Sequence, residues 1–150
     1  MPLKKEVEDK GYTQLKQDLK TGQLCTVYVF HGEETYLREY YLDQLRKKLI
    51  PAGFEEFNYH KLEGKALSVQ ALSDIVEALP MMCEKTLVTV TDFDLFKLNE
   101  EQRGQLIALL SDFPDYCCLV FVYDILEYKP DKKMKRLYTA LTSTAQIVEF

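Results

Sequence analysis

The chain has 150 residues, 24 acids against 19 bases for a formal net charge of −5, 47% apolar residues and 29% charged ones. That length suits one domain around one core, and the lack of a long apolar run or a signal-like start argues against a membrane span. The negative charge opposes nonspecific attraction to nucleic-acid phosphate, so any DNA contact has to be local or indirect. Four cysteines, Cys25, Cys83, Cys117 and Cys118, have no CxxC spacing and only His31 and His60 as possible co-ligands, which argues against zinc. Three of the four fall in apolar stretches, as free buried thiols do, and a reduced, cytoplasmic protein is expected.

Tyr12–Thr21 reads as a helix, with Thr13 able to cap it, Leu15 and Leu19 one turn apart and Gly22 placed to end it. Leu24–Phe30 follows as a short apolar run, the pattern of a strand buried on both faces. From Glu34 to Leu49 the apolar stripe Leu37, Tyr41, Leu45, Leu49 predicts a helix, with Glu33 and Glu34 at its positive end and Arg46, Lys47 and Lys48 at its negative end. Phe57–Leu62 is mixed in polarity, as an edge strand is. Val69, Leu72, Ile75, Val76 and Leu79 trace a helical face from a Ser68 cap to a break at Pro80. Thr86–Thr91 is a β-branched strand, and Asn99 with Gln102 three residues on marks the start of a helix whose core face is Leu106, Leu109, Leu110 and Phe113. Cys117–Tyr123, the most apolar strand, is expected at the sheet centre. Asp131 opens a last helix with Met134, Leu137, Tyr138 and Leu141 aligned, and Ala145–Glu149 forms a final strand. Alternating strands and helices predict one α/β domain over 1–150: a three-layer, mostly parallel five-stranded sheet with helices on both faces. The halt at Phe150, directly after the last strand, suggests a domain of a longer protein.

In parallel sheets ligands sit at the carboxyl ends of strands, which draws attention to His31-Gly32-Glu33-Glu34-Thr35. A phosphate loop there needs several glycines, a lysine for the outer phosphates and a hydroxyl for magnesium. This turn has one glycine, Gly32, no lysine, and two carboxylates, Glu33 and Glu34, where a helix N-terminus would otherwise attract an anion; Thr35 alone does not restore the site. No cofactor is therefore expected. Asp92 and Asp94 stand where a magnesium-binding acid would, but with no phosphate loop to serve they read as solvated acids at a strand exit. His31 and His60 show no catalytic partners, and no metal site or catalytic residue is assigned. Lys129, Lys132, Lys133, Lys135 and Arg136 form a basic run on the polar side of the last helix, either a solvated face or a contact for DNA or an acidic partner. Met81 and Met82 fall on a connector after the Leu79-Pro80 break; they either plug the sheet edge, which chemistry alone favours, or project into a groove of another protein.

Four ordered segments carry a resemblance: Leu19–Leu24, Val27–Leu37 with its Phe30-His31-Gly32-Glu33-Glu34-Thr35-Tyr36 core, Phe57-Asn58, and Leu79-Pro80-Met81-Met82-Cys83-Glu84-Lys85-Thr86-Leu87-Val88. Together they resemble the N-terminal domain of the delta subunit of the bacterial DNA polymerase III clamp loader. The resemblance implies a P-loop NTPase/AAA+-like topology without a functional P-loop, followed in the full-length subunit by lid and collar domains. It also implies a non-catalytic role in chromosomal replication: binding the β sliding clamp and favouring an open ring, beside the gamma/tau and delta prime subunits, with DNA reached through the complex. The family inserts two adjacent apolar side chains into the clamp, and these match Met81 and Met82, with Leu79 and Pro80 before them; the resemblance thus favours projection over plugging. Possible contacts to DNA or a partner fall on Lys132, Lys133 and Arg136. Two other functions compete: a nucleotide hydrolase with an unusual loop, and an interaction module for some other protein.

Overall fold

The computed structural model of the protein describes residues 11–150. Five strands, β1 (Val27–His31), β2 (Tyr59–Glu63), β3 (Thr86–Thr91), β4 (Cys117–Val122) and β5 (Ala145–Glu149), form one sheet in the order β2-β3-β4-β1-β5. Every pairing is parallel. β4 is central and buried along its whole length, and β2 is an edge strand, each as its polarity predicts.

Parallel neighbours need crossovers, and helices supply them. These are α1 (Tyr12–Thr21), α2 (Thr35–Leu49), a single turn α3 (Glu55–Asn58), α4 (Val69–Glu77), α5 (Glu100–Ser111) and α6 (Lys135–Thr144). Alternation along the strands splits the apolar side chains between two cores. Val27, Val29, Val88, Val90, Leu119 and Phe121 face α4, α5 and α6; Tyr28, Phe30, Leu87, Cys118, Val120 and Val122 face α1 and α2. The sheet is thus the middle of three layers.

Several boundaries differ from the sequence expectation, each for a local reason. β1 starts at Val27 rather than Leu24, because the Cys25 N–H is taken by the Tyr28 hydroxyl (3.1 Å) instead of the ladder. Phe57 and Asn58 belong to the α3 turn, where the Asn58 amide donates back to the Phe54 carbonyl at 2.8 Å. α6 starts at Lys135: the Asp131 carboxylate closes a preceding turn onto the Lys133 N–H (2.9 Å). Gly11 rather than Thr13 is the N-cap of α1, while Gly22 ends it in the left-handed conformation. Ser68 and Asn99 do cap α4 and α5. Gln102, however, does not reach back to its own cap; its side-chain oxygen accepts the Val69 N–H at 3.0 Å and ties the start of α4 to α5.

All four cysteines are free thiols. Burial pushes the Cys117 thiol up to about 11 and raises Cys118 well above its ordinary value, so both hold their protons to higher pH folded than unfolded. The stability linked to them is complete below pH 9.0, the ordinary thiol value, and is lost as pH rises through about 11. Urea denaturation is expected to show stability falling between about pH 9 and about pH 11, with a shallower fall for Cys117→Ala.

Candidate functional site

The turn after β1 lies at the carboxyl edge of the sheet, where this topology places a phosphate loop. Its main-chain donors are already used. Glu33 N–H and Glu34 N–H point to the Phe150 main-chain oxygen at 3.0 and 3.4 Å, and Phe150 N–H returns to the His31 carbonyl at 2.7 Å. Gly32 makes this approach possible: its φ is 114°, and a Cβ there would stand 2.1 Å from the Phe150 oxygen. The Phe150 ring packs edge-on against Phe30 and Tyr12. No side chain caps α2, so the turn is held by the chain segment after β5 rather than by a cap.

Above this turn opens a cleft of about 620 Å³ whose lining includes Glu33, Glu34, Asp124, Glu127 and Glu149 and neither lysine nor arginine. Arg38, absent from the predicted core stripe of α2, is 3% exposed; it donates to the Asp124 carboxylate (2.7 Å) and the Tyr123 carbonyl (3.2 Å). Asp92 is not the solvated acid expected from the sequence. Its backbone is left-handed (φ 57°), and its carboxylate accepts the N–H groups of Asp124, Ile125 and Leu126 at 2.8–3.1 Å, fixing the loop after β4. Asp94 turns into a short 3₁₀ segment, Leu95–Lys97. His31 packs 4.9 Å from the Tyr128 ring, whose hydroxyl is pushed up to about 12 by burial. His60 lies on edge strand β2. Among the described residues no group of histidines, cysteines and carboxylates could hold a metal ion.

Met81 and Met82 lie at the opposite, amino-terminal edge of the sheet, in the connector from α4 to β3. Neither plugs that edge: Met82 is 86% exposed, Met81 53% and Leu79 74%, with Pro80 half-buried between them. The backbone beneath is fixed. Asn58, 1% exposed, clasps the Met81 peptide from both sides, accepting its N–H at 2.6 Å and donating to its carbonyl at 2.9 Å. Tyr116 Oη donates to the Glu77 carbonyl at one end of the connector, and Lys85 Nζ donates to the Asp115 carbonyl at the other. Met82 itself is left-handed at φ 62°, a conformation that costs a non-glycine residue about 1–2 kcal/mol and persists where its surroundings impose it. Exposed Phe57 lies next to Asn58 and enlarges the apolar surface of this edge. Asn58 was visible to sequence reasoning as a matched residue, but its clasp across 23 positions was not, because side-chain bonding at that separation has no periodic signature.

The basic run is also relocated. Lys129, Lys132 and Lys133 precede α6, and only Lys135 and Arg136 are in it, at its first turn rather than along a polar face. Lys132 and Lys133 are exposed, as is Arg136; Lys133, Arg136 and Arg103 of α5 line a shallow groove of about 430 Å³.

A parallel sheet in this order, with a strand-turn-helix at β1, places the chain in the P-loop NTPase/AAA+ class of folds. Solved structures agree. A DNA clamp loader delta protein of Bacillus subtilis superposes with a TM-score of 0.74 at 22% identity, over 92% of this chain and 42% of that one. A DNA polymerase III gamma subunit-related protein of Thermotoga maritima gives 0.60 at 14% identity (91% and 45%), and a RuvB variant of the same organism 0.51 at 17% (97% and 44%). In sequence, the DNA polymerase III subunit delta of Bacillus subtilis strain 168 is 27% identical over 139 residues, 89% of this chain and 39% of that protein. The family described as DNA polymerase III, delta subunit, matches residues 28–150, and the chain belongs to it. It spans about two-fifths of the length of that curated relative.

Replacing Asn58 by alanine strands a buried peptide N–H and carbonyl. Thermal denaturation is expected to show a loss of about 1–3 kcal/mol.

Proposed function

We propose that this domain is the clamp-binding part of a clamp-loader delta subunit, and that it docks on the β sliding clamp through Met81 and Met82, supported by Leu79 and Pro80. The observation that carries this reading is the exposure of three large apolar side chains flanking Pro80, Leu79 before it and Met81 and Met82 after it, on a connector whose backbone Asn58 holds. Exposed apolar residues on an ordered loop are costly without a partner, and their order costs are already met before binding. Burying each methionine in a pocket contributes about 1.5–3 kcal/mol, enough to make the pair a hot spot. By binding the opened ring better than the closed one, the domain shifts that equilibrium without chemistry of its own.

The turn at Gly32, Glu33, Glu34 and Thr35 supports a non-hydrolysing role. Its N–H groups face Phe150 rather than a phosphate, and five carboxylates border the cleft in which a triphosphate would sit. In the longer protein the domain is the first of three, ahead of a lid and a collar. Its other partners are the gamma/tau and delta prime subunits, with DNA reached through the assembled complex. The groove carrying Lys133 and Arg136, with Lys132 beside it, offers positive charge for a phosphate backbone or an acidic partner.

The double substitution Met81→Ala, Met82→Ala is expected to weaken binding to a purified sliding clamp at least ~30-fold, about 2 kcal/mol, in a calorimetric titration, with an unchanged thermal midpoint. Unchanged affinity removes these residues from the site. Equilibrium dialysis against labelled ATP and magnesium is expected to show no retention; tight binding would refute the argument from Glu33 and Glu34.

A further inference from the structure

We propose that Met81 and Met82 form a reversible oxidation site that turns clamp docking off, an inference that rests on the docking reading above. The two thioethers project from a connector whose backbone is already fixed, one 53% and the other 86% exposed, so an oxidant of solvent size reaches both sulfurs without unfolding. The other methionine among the described residues, Met134, is half-buried at the N-cap of α6. Three of the four thiols compete poorly here. Cys117 and Cys118 are buried, and burial raises both along with Cys25, which the Asp18 carboxylate raises further, so each stays in the less reactive protonated form. A thioether has no proton to lose, and its reactivity depends on access.

The step balances with a peroxide as oxidant. The methionine sulfur attacks one peroxide oxygen, an S–O bond forms as the O–O bond breaks, the sulfur gives up two electrons, and the remaining oxygen leaves as water after proton transfer. The product sulfoxide is polar and chiral. In an apolar pocket it buries a strong acceptor with no donor opposite, which reverses the gain that made the pair a docking element. Substitution by leucine or phenylalanine would keep the apolar volume and lose this sensitivity, so the methionine pair gives the surface a property that its shape alone does not require. Thiol-dependent sulfoxide reductases return the thioether, which makes the change a switch and not only damage.

The test uses the whole chain and a purified sliding clamp. After treatment with hydrogen peroxide, with sulfoxide at 81 and 82 confirmed by peptide mass, clamp affinity should fall on the order of ten- to a hundredfold, and a methionine sulfoxide reductase pair with dithiothreitol should restore it. The affinity of a Met81→Leu, Met82→Leu variant, compared only with itself, should be the same before and after peroxide. Equal affinity of the oxidised and untreated protein overturns the proposal. Loss of binding by the peroxide-treated leucine variant overturns it too, since the sensitive group then lies elsewhere, Cys83 included. If the untreated protein does not bind the clamp, the docking reading itself fails and takes the switch with it, an outcome distinct from the other two.

Discussion

Everything in this domain hangs on β4. Its six residues are buried on both faces, and it is hydrogen-bonded to β3 on one side and β1 on the other. Odd and even positions feed separate cores, Leu119 and Phe121 one and Cys118, Val120 and Val122 the other. A strand in that position tolerates no polar side chain without a partner, which is why the run Cys117–Val122 contains none. The helices are held by the two faces that this strand anchors. The loop that leaves it is then organised by groups from elsewhere in the chain: Asp92 accepts its N–H groups, and Arg38 donates to its first carbonyl, that of Tyr123, and to the Asp124 carboxylate. Both devices are polar, and both sit where the sheet ends and apolar packing no longer fixes the path.

What was legible in the sequence follows the same division. Period-two and period-four apolar patterns report on packing against a sheet, and they gave Tyr12–Thr21, Thr86–Thr91 and Ala145–Glu149 with the observed bounds. They also ranked the strands by burial, placing Cys117–Tyr123 inside and Phe57–Leu62 at the edge, each observed there with shifted ends. Polar groups that fold inward leave no such trace. Arg38 and Asp18 both lie buried on helices where a charged residue reads as solvent-facing. Asp18 accepts the Tyr28 hydroxyl at 2.8 Å and the Gln14 amide at 2.6 Å, a network spanning α1 and β1 that no local spacing encodes. Asp92 was misread for the same reason: three N–H donors from a loop some thirty residues away supply what solvent was expected to supply.

The candidate docking surface was half legible. Pro80 marked the end of a helical face and put the two methionines off the core, but periodicity could not say whether they turn inward or outward. The outcome depends on Asn58, which occupies the space under the connector and takes both hydrogen-bonding groups of the Met81 peptide. With its backbone satisfied from beneath, the connector has no reason to bury its side chains there, and Met82 is carried outward at positive φ.

The two ends of the sheet are therefore independent surfaces. At about 3.3 Å per residue, the six residues of β3 put roughly 20 Å between the connector before it and the acidic cleft beyond its far end. A macromolecule seated on the methionines leaves the cleft uncovered, and a neighbour against the cleft leaves the methionines in solvent. The domain can be bridged between two bodies at once, and any mechanical influence of one on the other has to pass lengthwise through a rigid sheet rather than through competition for a shared surface.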